Sequence, residues 1–147
     1  MADQATATER MIVRATPERC FGIAVDFERY PEWAADIKSV VVEERDDQGR
    51  GSLVTFRAAA FGRSTSYTLS YNYENAPQEM AWALTKGDLT RKLDGSYHFE
   101  PAGDDDTEVT YRLDVELVVP LPGFVKRRAE GKIIHTALKE LRAQAEA

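Results

Sequence analysis

The sequence predicts an α+β chain of order β-α-α-β6-α, in which a curved antiparallel sheet of seven strands closes over a long C-terminal helix and leaves an internal cavity. Three observations predict it. Successive segments between residues 37 and 119 alternate apolar and polar residues at hairpin spacing. The links between them are turn sequences such as Asp47-Gln48-Gly49, Phe61-Gly62-Arg63, Asn75-Ala76-Pro77 and Gly103-Asp104-Asp105. Beyond Pro120-Leu121-Pro122-Gly123, the apolar residues Ile133, Ile134, Ala137, Leu138 and Leu141 recur three and four apart, as on one face of a helix.

The first strand is expected over residues 9–15, where Met11 and Val13 alternate with polar neighbours. Thr16-Pro17-Glu18 then opens a helix to about residue 26. Thr16 can cap it, Pro17 suits a first turn whose N–H groups have no partner, and Glu18 favours the positive helix end. A second short helix over residues 27–35 carries Tyr30-Pro31-Glu32-Trp33, with proline redirecting the chain. Strands follow over 37–44, 52–60, 65–73, 80–86, 89–100 and 108–119. The last helix runs from 124 to about 145, and residues 1–7 form a flexible tail to a single domain.

Alternation assigns an inward side: Tyr67, Leu69 and Tyr71; Met80, Trp82 and Leu84; Tyr97 and Phe99; Val109, Tyr111, Leu113, Val115 and Leu117. A twisted sheet curves, and one helix about 10 Å across does not fill its hollow. The inward set is rich in tyrosine and tryptophan, which join an apolar body to a polar tip. Such walls suit a small hydrophobic molecule bearing oxygens.

Composition excludes other classes. With 147 residues, 43% of them apolar and 30% charged, the chain has ordinary globular usage. A net charge of −6 argues against nonspecific nucleic-acid binding. Lys126, Arg127, Arg128 and Lys132 are the local exception, and they leave a transient membrane contact or an anionic ligand open at that end. No apolar run reaches the ~20 residues that cross a bilayer, and residues 1–8 lack signal-peptide regions. A cytoplasmic location is the expectation, and the lone Cys20 agrees with a reducing compartment. Monomer and homodimer both remain compatible with the pattern.

Few residues suggest catalysis. His98, His135 and Cys20 lack ligand-type spacing, so no metal is expected, and nothing implies a cofactor. His98 lies between two inward residues and therefore turns outward. No Gly-x-Ser-x-Gly elbow or phosphate loop occurs. Arg127, on a wheel anchored by Ile134, Leu138 and Leu141, is expected to face the cavity, where its N–H donors could hold a carboxylate, phosphate or phenolate.

The element order, together with Tyr30-Pro31-Glu32-Trp33, Trp82-Ala83-Leu84, Leu93-Asp94-Gly95-Ser96-Tyr97, Thr107-Glu108-Val109-Thr110-Tyr111 and Pro120-Leu121-Pro122-Gly123-Phe124, resembles the START-like superfamily. The best match is its polyketide cyclase/dehydrase and lipid-transport branch, which includes coenzyme-Q-binding proteins. The resemblance spans residues 8–146. It implies a helix-grip fold with a deep hydrophobic cavity beneath the last helix, and activities from lipid and quinone carriage to polyketide cyclisation.

Two functions therefore stand as expectations. One is binding or transport of a lipid, quinone or aromatic polyketide. The other is a cyclase or dehydratase whose pocket Tyr and Arg groups act as acids on a poly-ketone. The ligand-binding set is expected to be Trp33, Phe56, Tyr67, Leu69, Tyr71, Trp82, Leu84, Tyr97, Phe99, Tyr111, Leu113, Phe124, Arg127, Ile134 and Leu138. No residue pair has a spacing that demands proton transfer, which favours binding.

Overall fold

A computed structural model describes residues 7–60 and 62–147, Ala60 by its backbone alone. The elements follow the expected order. They are β1 (Ala7–Val13), α1 (Pro17–Val25), a 3₁₀ turn (Phe27–Arg29), α2 (Tyr30–Trp33), β2 (Ile37–Arg45), β3 (Gly51–Ala60), β4 (Arg63–Asn72), β5 (Glu79–Gly87), β6 (Thr90–Pro101), β7 (Thr107–Leu117) and α3 (Gly123–Glu146). The expected tail is corrected at one end, because Ala7 already pairs with Leu113 and opens β1. Residues 1–6 lie outside the described residues.

The seven strands form one antiparallel sheet in the order β1-β7-β6-β5-β4-β3-β2. Six of them, β2 to β7, are joined by five sequential hairpins; the helical excursion α1–α2 carries the chain from one edge strand, β1, to the other, β2. The α1 start works as its sequence suggests. Thr16 is extended, its Oγ1 accepts from the Arg19 N–H at 3.2 Å, and Pro17 occupies the first turn. In the β2–β3 turn, the Asp46 carboxylate accepts from the N–H groups of Gln48 and Arg50, and Gly49 takes the positive φ of 82° that the reversal requires.

The long helix α3 lies across one end of the sheet's concave face. Ile134, Leu138, Leu141 and Ala145 are buried, and the helix meets β1, β7 and α1. Its other end is tied down by side chains, with Arg19 Nε donating to the Ala145 carbonyl at 2.7 Å and the Arg14 N–H donating to Glu146. Glu130 is a buried acid on the same stripe. Its Oε2 accepts from the Val115 N–H at 2.8 Å, two residues past the last β1 partner, and from Lys126 Nζ at 2.7 Å. The carboxylate thus finishes a ladder position where β1 has no described partner. Because α3 keeps to the β1–β7 end, the hollow over β3–β6 is left to side chains and open space.

Candidate functional site

That space is a cavity of about 720 Å³ between the sheet and α3. Its sheet wall is built from strand alternation. Phe56 and Ala58 come from β3, Tyr67, Leu69 and Tyr71 from β4, Met80 and Trp82 from β5, Leu93 and Tyr97 from β6, and Tyr111 and Leu113 from β7. Cross-strand register joins the rings. Tyr67 pairs with Phe56 and stacks on it at 5.4 Å, Tyr71 pairs with Trp82 at 5.8 Å, and Tyr97 pairs with Tyr111 at 4.6 Å. Trp82 meets both Tyr97 and Tyr111, so one aromatic surface crosses β4 to β7.

The opposite wall is the flank of α3, with Ala129, Ile133, Thr136 and Ala137 facing in, and Tyr30, Trp33 and Ala34 of α2 and its end close one side. Glu140, also on that flank, accepts from the Ala35 N–H at 3.1 Å and so pins the segment after α2 to α3. At the rim stand Asp36, Ile37, Gly62 with Arg63 and Ser64 at the start of β4, and Lys132.

The polar content of the walls is specific. Tyr30 donates its hydroxyl to the Ala24 carbonyl, which fixes the 3₁₀ turn and α2 against α1. The hydroxyls of Tyr67, Tyr71, Tyr97 and Tyr111 make no hydrogen bond among the described residues. Burial pushes all four phenols well above their ordinary value, so they are neutral donors at any physiological pH. Thr90, 5% exposed and on the same wall, has a hydroxyl oxygen that is buried and unpaired. Buried polar groups are ordinarily paired, and an exception points to a functional position. An apolar cavity lined by four tyrosine hydroxyls without a hydrogen bond among the described residues matches a molecule with a ring or hydrocarbon body and a few oxygens.

Of the residues expected at the site, Trp33, Phe56, Tyr67, Leu69, Tyr71, Trp82, Tyr97, Tyr111 and Leu113 line the cavity. Six are placed elsewhere. Ile134 and Leu138 are fully buried, but one helical step round, against β1, β7 and α1; their neighbours Ile133 and Ala137 face the cavity instead. Phe99 is fully buried in the layer beneath α1, edge-on to Phe21 and stacked on Tyr97. Leu84 is half-buried next to Gly87, beyond the point where β5 leaves β6: the last β5–β6 pair is Trp82 with Gly95, and the Leu84 N–H turns to Asp94 Oδ1 at 3.0 Å. Phe124 is 63% exposed. Arg127 is exposed and folds its guanidinium back toward Gly123, correcting the expectation that it enters the cavity.

The two histidines lie away from the cavity. His98 is exposed, 3.8 Å from Glu79, and His135 Nδ1 meets Glu9 Oε2 at 2.8 Å. Cys20 is buried, and burial pushes its thiol up, so it sits as an inert core residue. Among the described residues no group of His, Cys, Asp and Glu is arranged to hold a metal, and no helix is long and apolar enough to cross a membrane.

Known structures share this architecture. A START superfamily protein from Mycobacterium smegmatis is 28% identical, with 96% of this chain and 97% of that one covered at a TM-score of 0.91. The Zhui aromatase/cyclase from Streptomyces sp. R1128 is 12% identical, with 96% and 93% covered and a TM-score of 0.82. Ginseng major latex-like protein 151 from Panax ginseng is 12% identical, with 97% of each chain covered and a TM-score of 0.74. The last two likenesses establish the fold alone. Among curated proteins the sequence finds no match. Residues 13–142 match the family described as polyketide cyclase / dehydrase and lipid transport, spanning β7, the cavity walls and most of α3, and the chain belongs to that family.

Proposed function

We propose that the protein binds and carries a small, mainly apolar molecule with a few oxygen atoms, such as a lipid, a quinone or an aromatic polyketide, inside the cavity. The observation that carries this reading is the set of tyrosine hydroxyls with no hydrogen bond among the described residues on an otherwise apolar, aromatic wall: Tyr67, Tyr71, Tyr97 and Tyr111. A ligand oxygen among them gains a donor at no cost in protein rearrangement, and the rings supply the burial. A ligand that hides about 300 Å² of apolar surface gains roughly 7 kcal/mol before ordering costs. The cyclase or dehydratase alternative is less well supported. The ionic groups at the cavity, Asp36, Arg63, Lys132 and Glu140, stand at its rim or on α3, and Glu140 is already engaged with Ala35. None is placed among the tyrosines to relay a proton.

The test compares 1,4-naphthoquinone with naphthalene, which share a ring body and differ in two carbonyl oxygens. Both tryptophans, Trp33 and Trp82, line the cavity, so their fluorescence reports uptake. The wild type should prefer the quinone, and the double change Tyr97→Phe, Tyr111→Phe should reduce that preference by about 5- to 10-fold, the worth of roughly one hydrogen bond. Equal affinity for both compounds in wild type and variant would sink the reading. A polyketide whose turnover vanishes in the variant while its affinity holds would favour the enzyme.

A further inference from the structure

The connection from β7 to α3 is built unlike the other turns. Within residues 118–124, Val118, Val119, Leu121 and Phe124 are 45%, 66%, 36% and 63% exposed. Exposed apolar side chains so concentrated on one short stretch mark an interaction surface. The stretch is also held in place. The Val118 N–H donates to the Leu89 carbonyl at 2.9 Å, the N–H groups of Val125 and Lys126 both donate to the Pro122 carbonyl, and prolines 120 and 122 fix the chain between them. These side chains therefore stand outward on a fixed platform.

Cations stand beside it and along the first turns of α3. Arg127 folds back beside Gly123, next to Phe124, and exposed Arg128 follows; Arg91 shares a small hollow with Pro120 and Leu121; and Lys132 stands one turn further along α3. Arg91, Arg127, Arg128 and Lys132 have no ion pair among the described residues. The acids nearby are mostly engaged. Asp114 is held by Lys92 and Lys126, Glu130 is buried on Val115 and Lys126, and Glu116 is the exposed carboxylate left beside the hollow. The local sign is thus opposite to the chain's net charge of −6.

We propose that this connection is a docking surface for an anionic lipid bilayer. Apolar tips beside a cluster of cations complement an acyl boundary beneath anionic headgroups, and neither feature alone would serve. Ala129 borders both the hollow under the loop and the cavity, which puts the loop on the side of the cavity where Lys132 forms the rim. Docked there, the cavity mouth faces lipid, and an apolar ligand leaves without crossing water. The docking itself does not depend on what the cavity holds.

The experiment is flotation of the full chain with vesicles of phosphatidylcholine alone and of phosphatidylcholine with phosphatidylserine at about 2:1. Binding should require phosphatidylserine and be lost at about 0.5 M salt. The double change Arg127→Gln, Arg128→Gln should lower partitioning about 25-fold, at roughly fivefold per cation. Val119→Ser, Phe124→Ser should abolish flotation at every salt concentration, and both variants should keep the wild-type melting temperature because the altered side chains are exposed. Equal flotation with neutral vesicles, or unchanged flotation of both variants, would overturn the proposal. So would sedimentation showing a dimer that Val119→Ser, Phe124→Ser dissociates, since a second copy would then cover the loop. Uptake of naphthoquinone by the variants separates this result from any failure of the cavity reading.

Discussion

Gly95 offers a sharp test of the cavity wall. It sits opposite Trp82 in the β5–β6 ladder and opposite Leu113 in the β6–β7 ladder, and it gives the tryptophan ring a place to lie. A Cβ at this position would stand 2.5 Å from the Arg112 carbonyl oxygen and 2.7 and 3.0 Å from Cζ2 and Cε2 of Trp82. Ordinary contacts need about 3.5 Å or more. The ring can swing into the cavity, but the carbonyl belongs to a strand held on both sides, so the backbone must also give. Overpacking of this kind costs about 1–3 kcal/mol, and the backbone clash puts Gly95→Ala in the upper half of that range. For a chain of this length the loss lowers the melting temperature by roughly 5–10 °C. Urea unfolding followed by circular dichroism measures it. Trp82→Ala alone should cost about 3–5 kcal/mol, and Gly95→Ala should cost less in that background, by roughly 1 kcal/mol, because only the carbonyl clash remains. If Gly95→Ala unfolds like wild type, or if the two costs simply add, Trp82 does not lie on Gly95 and the wall is drawn wrongly.

Other perturbations have equally definite outcomes. Thr90→Val keeps the shape and removes the buried, unpaired hydroxyl, so the ligand-free protein should gain up to about 1 kcal/mol, with a loss of stability counting against an unpaired group. Asp114 gives a pH dependence. Burial pushes its carboxyl up, but hydrogen bonds and attraction from Lys92 and Lys126 outweigh this and hold it below the ordinary 3.8. A depressed carboxylate stabilises fully above its unfolded value and loses that contribution as pH falls through the folded one. Asp114→Asn should therefore be less stable than wild type at neutral pH, and the gap should close below about pH 4. A gap that persists or widens in acid would remove the ion pairs from the explanation.

Most of the fold was legible because each element carries a local signal that tertiary packing reinforces. The Thr16-Pro17-Glu18 start is read directly from capping chemistry, and the inward tyrosines and Trp82 follow from the two-residue period, which admits no partial error in phase. The helix α3 was harder for a physical reason. Its most apolar stripe, Ile134, Leu138 and Leu141, goes where water is excluded, against β1, β7 and α1. The flank toward the cavity mixes Ile133 and Ala137 with Lys132, Thr136 and Glu140, since one side of that flank meets solvent at the rim. Reading the cavity from the apolar stripe therefore errs by one residue. Arg127 continues the stripe of Ile134 by two turns, but Glu130 already occupies the last sheet position at Val115, and the stripe runs out of sheet. Leu84 failed because the departure of β5 from β6 after Trp82 depends on Asp94 replacing a ladder partner, which no local pattern announces. Tyr30 and Leu93 could have been found, the first from its place in Tyr30-Pro31-Glu32-Trp33 and the second from alternation with Tyr97 along β6.

Native mass spectrometry of the purified protein, before and after addition of naphthoquinone and followed by denaturing extraction, asks whether the cavity holds a ligand. Binding in the cavity predicts an added mass, either a co-purified lipid, quinone or polyketide that extraction releases, or a stoichiometric naphthoquinone adduct that Tyr97→Phe, Tyr111→Phe weakens. A protein that flies at the mass of its sequence alone, and stays there in the presence of naphthoquinone and of fatty acid, would contradict it.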